Sequence, residues 1–158
     1  MTIILEHAPQ LDFFADMSKI TEPFKQTFQK LNWLVTDLEF ISHDPIPQLN
    51  NYRPSFEFTG QELSKIIQEN RIQFIWGVFS GFEGPIPAIP ANKLPYADQN
   101  KSLWTTPEEF QISAAEIEIV CWDSSLAILK FKSPTLASEF LKAFPEAKEL
   151  KSNTQVRT

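Results

Sequence analysis

The sequence predicts an α+β fold, with a mixed, largely antiparallel sheet and about three helices packed on one face. Helical and strand-like segments alternate in the first half, and residues 116–132 have the pattern of a β-hairpin. The hairpin and the twelve prolines together favour antiparallel pairing over regular crossover units. At 158 residues the chain has the length of one domain, expected at 1–150, with a frayed tail at 151–158.

The predicted order is β-α-β-α-β-loop-β-β-α, and it begins with a strand at residues 2–6. Residues 20–31 predict a helix, because Thr21 can cap it and apolar side chains recur at positions i, i+4 and i+7. A second helix begins at Thr59, which together with Glu62 fits a capping box.

Residues 32–40 alternate as a half-buried strand does, and residues 41–58 predict a proline-rich connection. In the strand at 32–40, Asp37 and Glu39 are expected to share a face with Trp33. The opposite face, predicted to contact the core, carries Leu34, Thr36, Leu38 and Phe40. Residues 71–80 are apolar on both faces, which predicts a central strand covered on two sides.

Residues 116–132 predict a hairpin that turns at 123–125. With Trp122 opposite Leu126, one face of the hairpin is entirely apolar, and a slip of one residue would disrupt it. A last helix begins after Ser133, with a proline at its first position. The charged face of the hairpin then carries two cross-strand pairs, Glu118 with Lys130 and Glu116 with Lys132.

The segment 81–106 lacks regular periodicity, and its prolines predict an extended, stiff loop. Loops of this length are usually functional or mobile, so we expect a recognition surface here, with Glu83, Tyr96 and Trp104 as binding candidates. Nearby, the hairpin carries an apolar patch around Trp122, for which two interpretations are open. Either the loop covers the patch, or the patch is exposed and joins a homodimer through Trp122, Leu126 and Ile128.

The charge of the chain argues against nucleic-acid binding. The net charge is −6 and no run of Lys or Arg forms a basic patch, whereas an acidic surface can steer a basic protein partner. The N-terminal segment lacks the features of a signal peptide, and no apolar run reaches the roughly 18 residues of a membrane span. We therefore expect a cytoplasmic protein that does not bind membranes.

No motif in the chain predicts a cofactor or a metal. Gly77, Gly81 and Gly84 follow a strand but lead into Pro85 rather than a helix with a lysine, which excludes a phosphate-binding loop. The hairpin register places Cys121 on the core face, as a buried thiol rather than a nucleophile. One cysteine and two histidines are also too few for a typical zinc site.

Asp37 and Glu39 are the carboxylates with the best spacing for chemistry. Two carboxylates on one face can act as acid and base or hold a hard cation at the mouth of a pocket. The other interpretation is a solvated strand face with ordinary charge alternation. The first interpretation predicts a small-molecule-binding protein or a hydrolase.

Three short motifs carry a resemblance to known proteins: Asn32-Trp33 with Asp37 and Glu39, Gly60-x-Glu62-Leu63, and Glu108-Glu109-Phe110 before the 118–131 hairpin. In this order they resemble a family of small bacterial proteins that share a domain of unknown function. The resemblance implies a bacterial cytoplasmic α+β protein and no activity. In general style the chain is also similar to immunity proteins, which are small, acidic, rich in aromatic residues and without catalytic groups.

The sequence therefore predicts a non-catalytic module that binds a basic protein partner, of the immunity or inhibitor kind. Small-molecule binding or hydrolysis by Asp37 and Glu39 is the alternative. The binding candidates are Asp37, Glu39, Glu83, Tyr96, Trp104 and Trp122, and no catalytic residue is assigned.

Overall fold

Seven strands form one antiparallel sheet in the computed structural model, which describes residues 1–50 and 52–152. The strands are β1 (Thr2–Leu5), β2 (Asn32–Ser42), β3 (Ser55–Thr59), β4 (Ile72–Phe82), β5 (Ile117–Trp122), β6 (Leu126–Phe131) and β7 (Lys148–Glu149). Their order across the sheet is β3-β2-β4-β5-β6-β1-β7, so β3 and β7 are the edge strands.

The helices are α1 (Met17–Ile20), α2 (Lys25–Lys30), α3 (Gly60–Glu69), α4 (Ser102–Thr105) and α5 (Pro134–Ala143). Single 3₁₀ turns are formed by Glu22–Phe24 and Ala91–Lys93. The predicted capping box is present, with Thr59 Oγ1 accepting from the Glu62 amide at 3.2 Å and the Glu62 carboxylate accepting from the Thr59 amide at 3.3 Å. None of the helices in the described part of the chain is long and apolar enough to span a bilayer.

The α+β class is confirmed, and the predicted order β-α-β-α-β-loop-β-β-α is corrected in detail. It omitted β3, β7, α1 and α4, and it merged a 3₁₀ turn and α2 into one helix. The expectation of about three helices on one face is also corrected, since α4 packs with Leu103 against the opposite face of the sheet. β3 lies within the segment that was predicted to be a proline-rich connection, because prolines favour a loop. An edge strand tolerates a proline beside it, since only one side of its backbone is paired. The sheet is also entirely antiparallel rather than mixed in its described part. Most of the predicted tail, 153–158, lies outside the described residues.

The predicted hairpin is confirmed residue by residue. β5 and β6 pair with Trp122 opposite Leu126 and Glu118 opposite Lys130. Asp123 and Ser124 in the turn both have positive φ, which short polar residues tolerate better than branched ones. Because both faces of the hairpin are buried, this register is strongly specified.

The main core lies between the sheet and the layer formed by α1, α2, α3 and α5. Aromatic side chains fill much of it: Phe24 packs edge-on against Phe131 at 5.2 Å, and Phe28 stacks on Trp33 at 4.4 Å between ring centroids. The Trp33 indole also donates a hydrogen bond to the Phe28 carbonyl at 2.8 Å, so its polar group is satisfied within the core.

A β-bulge in β2 overturns the predicted faces of that strand. Its register against β4 shifts between Thr36 and Glu39, and Asp37 has φ of 49°. Before the bulge Trp33 lies in the helix-side core, whereas after it Leu38 and Phe40 pack there. Leu34 and Thr36 therefore face the opposite side, and Asp37 does not share a face with Trp33. The extra residue of a bulge resets the alternation, which strict periodicity cannot anticipate.

The segment between β4 and β5 crosses the other face of the sheet and covers it with two small apolar clusters. One cluster is centred on Val78, Leu103, Val120 and Ile128, and the other on Leu34, Phe82, Ile112 and Ala115. Of the two interpretations of the Trp122 patch, the structure shows the covered one, with Trp104 from the segment packed edge-on against Trp122 at 5.2 Å. We call residues 83–116 the strap.

Candidate functional site

Asp37, the best sequence candidate for chemistry, holds the strap in place. Its Oδ2 accepts hydrogen bonds from the backbone amides of Ala97 and Asp98, at 2.8 and 3.0 Å. The bulge at Asp37 directs the carboxylate to this side of the sheet, and an aspartate tolerates the positive φ that the bulge requires. Both amides begin a turn, and no other acceptor for them is present in the described part of the chain, so the carboxylate completes the turn.

A network of amide side chains continues this attachment. Asn100, which is 2% exposed, donates to the Tyr96 carbonyl at 2.9 Å and accepts from the Ser102 hydroxyl at 2.6 Å. Gln111 bonds the backbone of Tyr96 from the other end of the strap, accepting at 2.9 Å and donating at 3.1 Å. These contacts give the strap an internal structure despite its lack of long helices.

A buried ion pair lies beneath the strap. Glu118 and Lys130 are both almost fully buried, and Glu118 Oε1 lies 3.0 Å from Lys130 Nζ as a charge contact. The backbone N–H of Gln111 donates to Glu118 Oε2 at 2.8 Å. Lys130 Nζ donates to the backbone carbonyl of Glu109. The pair predicted from the hairpin register is thus a structural contact that joins the sheet to the strap.

We expect Asp37→Ala to lower the free energy of unfolding by about 2 kcal/mol, because two strap amides lose a charged acceptor. Amide hydrogen exchange at Ala97 and Asp98 should accelerate in the same variant. Chemical denaturation and exchange measured by NMR check both effects. Glu39→Ala is the matched control: it removes a neighbouring exposed carboxylate and should change stability by about 0.5 kcal/mol or less. Equal losses in the two variants would contradict the role of Asp37.

The other predicted binding residues are dispersed over the surface, except that Trp104 and Trp122 are in contact. Glu39 in β2 and Glu83 directly after β4 are both exposed, and Tyr96 is 50% exposed. Trp104 and Trp122 are half-buried, and Trp122 also packs edge-on against Trp76 at 4.9 Å. Ile128, proposed with Trp122 for a homodimer, has no exposed surface. The structure therefore does not bring the six candidates together into one site.

The pKa values of Cys121 and Glu108 are shifted from their ordinary values. Complete burial raises the pKa of the Cys121 thiol to about 12, which keeps it protonated and a poor nucleophile. A hydrogen bond from the Ser152 hydroxyl to the carboxylate lowers the pKa of Glu108 on the surface. Within the described residues, no three His, Cys, Asp or Glu side chains are grouped as metal ligands would be.

A groove with a volume of about 880 Å³ opens beside the edge strand β3. Its apolar floor is continuous with the main core and consists of Leu38, Phe40, Leu49 and Phe56. Its rim is polar and consists of Glu39, Asn50, Tyr52 and Arg53. The Tyr52 side chain is fully exposed to solvent. We call this surface the β3 groove.

An apolar floor with a polar and aromatic rim is typical of a binding surface. Glu39 is the one sequence candidate that lines the β3 groove, while Asp37 is bonded to the strap. Sequence reasoning missed the rest because the groove combines the end of β2, the connection after it and β3. The alternation of Phe56 and Phe58 around Glu57 was the available signal for an edge strand here.

No protein-family model, no curated protein and no solved structure matches the chain.

Proposed function

We propose that the protein is a non-catalytic binding module that receives a basic protein partner at the β3 groove. The single observation that carries this proposal is the groove itself, with its apolar floor and exposed Tyr52 beside an open sheet edge. Exposed aromatic side chains next to apolar pockets contribute most of the energy in many protein interfaces.

The placement of the carboxylates supports binding rather than catalysis. Asp37 serves the strap and Glu118 is paired with Lys130, so both have a structural use. Exposed acidic side chains near β3 include Glu39, Glu57 and Glu62, the last of which also caps α3, and Arg53 is a cation on the same surface. Together with a net charge of −6, this surface favours a partner that presents lysine or arginine. An immunity or inhibitor protein is the form of this function that we favour.

Small-molecule binding is a second candidate at the same place. The volume of the β3 groove falls within the roughly 300–1,000 Å³ that is usual for ligand pockets. In this second candidate function, Glu39 contacts the ligand at the mouth of the β3 groove. Asp37 does not take part, because its carboxylate accepts hydrogen bonds from two strap amides. The two functions differ in whether a stoichiometric protein complex forms.

The test compares the two tyrosines of the chain. Tyr52→Ala removes the exposed side chain at the groove, whereas Tyr96→Ala removes a half-exposed side chain on the strap. We expect the natural partner, purified from the source cells by affinity capture, to bind Tyr52→Ala about 10-fold or more weakly and Tyr96→Ala as tightly as the unchanged protein. Affinities are measured by calorimetry with both purified proteins. Absence of any stoichiometric protein partner, or equal binding by both variants, would contradict the proposal.

A further inference from the structure

The backbone of β3 has hydrogen-bonding groups that face away from the sheet. In an antiparallel pair, bonded and non-bonded residue pairs alternate. The backbone N–H of Lys132 donates to the Glu116 carbonyl at 3.1 Å, so Glu116 and Lys132 form a bonded pair. Bonded pairs recur at every second residue, so the even-numbered residues of β5 form backbone hydrogen bonds with β6. Its odd-numbered residues therefore bond β4.

The same alternation of hydrogen-bonding direction continues through β4 and β2 to the edge strand β3. Val78 and Ser80 of β4 then bond β2, and Trp33 and Val35 of β2 bond Phe58 and Phe56 of β3. The N–H and C=O groups of Ser55 and Glu57 consequently point outward, away from β2.

The capping box confirms this assignment independently. The Thr59 amide, which has the same parity as Ser55 and Glu57, donates to the Glu62 carboxylate instead of to β2. No backbone group in the described part of the chain bonds the outward groups of Ser55 and Glu57. The edge therefore offers two donors and two acceptors in the geometry of a strand.

The two faces of this edge differ in character. Toward the helices, Phe56 and Phe58 lie with parallel rings 6.2 Å apart, and Phe56 lines the β3 groove. On the other face the Glu57 side chain is exposed, and a notch of about 370 Å³ brings it together with Glu62 and Ile86. A strand added here would direct alternate side chains to the apolar groove and to Glu57.

We propose that β3 receives an extended segment of the protein partner as an eighth strand, with apolar side chains in the β3 groove and a lysine or arginine opposite Glu57. This inference rests on the proposed function and specifies its mode of binding. Charge complementarity selects the occupant, since opposite charges across a strand pair stabilise it and like charges destabilise it. A second copy paired symmetrically about Glu57 would place the two Glu57 carboxylates opposite each other.

The test uses a capped nine-residue peptide of alternating valine and lysine, with a control peptide in which glutamate replaces every lysine. Binding to the full chain is followed by fluorescence anisotropy and by amide exchange at Ser55 and Glu57. We expect the lysine peptide to bind, to protect both amides about 10-fold or more, and to bind better than the glutamate peptide.

Two variants at Glu57 distinguish the contribution of its backbone N–H to peptide binding from that of its side-chain charge. Glu57→Ala keeps the outward N–H and should weaken the lysine peptide several-fold, whereas Glu57→Pro removes that N–H without touching the β2 ladder and should abolish binding. Glu139→Ala, at an exposed glutamate on α5, is the control and should have no effect. Circular dichroism and thermal melting verify that each variant folds.

Three results would overturn the inference. These are failure of the lysine peptide to bind, binding without protection of Ser55 and Glu57, or a dimer of the unchanged chain in sedimentation that Glu57→Pro dissolves. In the first two cases the proposed function still stands if Tyr52→Ala weakens the natural complex, since a partner can occupy the groove without pairing to β3. If no natural partner exists, the function itself fails.

Discussion

Replacement of Lys130 by methionine is expected to lower the free energy of unfolding by about 3–5 kcal/mol. The side chains of Lys130 and Glu118 are 2% and 0% exposed, so the variant would leave the carboxyl group of Glu118 buried without its cationic partner. Methionine preserves most of the apolar volume of lysine, so the loss reports the charge rather than a cavity. Urea denaturation followed by circular dichroism measures it.

The hairpin supplies its own control, because the next charge pair on the same face is exposed. Lys132 Nζ lies 3.9 Å from Glu116 Oε1, and both side chains are more than one-third exposed. Lys132→Met should therefore lower the free energy of unfolding by about 1 kcal/mol or less. The double variant Glu118→Leu/Lys130→Met removes both charges and should be more stable than Lys130→Met alone. Similar losses for Lys130→Met and Lys132→Met would show that the buried pair does not contribute as argued.

The ion pair also determines how firmly the strap is held. Lys130 binds the Glu109 carbonyl and Glu118 accepts from the Gln111 amide, so both charges are satisfied partly by strap backbone. This explains why a polar pair lies in the middle of an apolar sheet face. It specifies where the strap attaches, which apolar contacts alone would leave loosely defined.

The hairpin was predictable to the residue, because its pattern contains its own check. Apolar residues alternate with charges of opposite sign on the two strands, and only one register matches both faces. The helix beginning at Thr59 was equally predictable, since a capping box is a local interaction between residues three apart. Local rules are sufficient where the stabilising contact is local.

The bulge at Asp37 shows where such rules fail. Alternation placed Asp37 and Trp33 on one face, but the inserted residue turns the carboxylate toward the strap, whose turn at Ala97 lies sixty residues away. The stabilising effect of this carboxylate depends on tertiary contacts with residues far away in the sequence, which a local pattern cannot show. The sequence therefore identified an unusual residue correctly and could not indicate its role.

The β3 groove was beyond sequence reasoning for a related reason. Its floor joins Leu38 and Phe40 from β2 with Leu49 from the following connection and Phe56 from the edge strand. Each of these residues is an ordinary apolar side chain in its local context. Only the pairing of β2 with β3 brings them together, and prolines before β3 concealed that strand.

Replacement of Gly60 by alanine is expected to lower the free energy of unfolding by about 3 kcal/mol, the larger end of overpacking losses. A Cβ at Gly60 would lie 2.2 Å from the Phe28 carbonyl oxygen and 2.6 Å from the Gln29 carbonyl. These are backbone atoms at the end of α2, so the clash cannot be relieved by rotating a side chain. α3 must move away from α2, despite the better helix propensity of alanine.

Gly84→Ala is the matched control, since a Cβ there meets no atom within 4 Å and stability should change by about 0.5 kcal/mol or less. Thermal and urea denaturation of both variants compare the effects; a small loss in Gly60→Ala would mean that the end of α2 yields easily. Because β3 leads directly into Gly60, the same contact positions the edge strand. Amide exchange at Phe56 and Phe58, which bond β2, should therefore accelerate in Gly60→Ala and remain unchanged in Gly84→Ala.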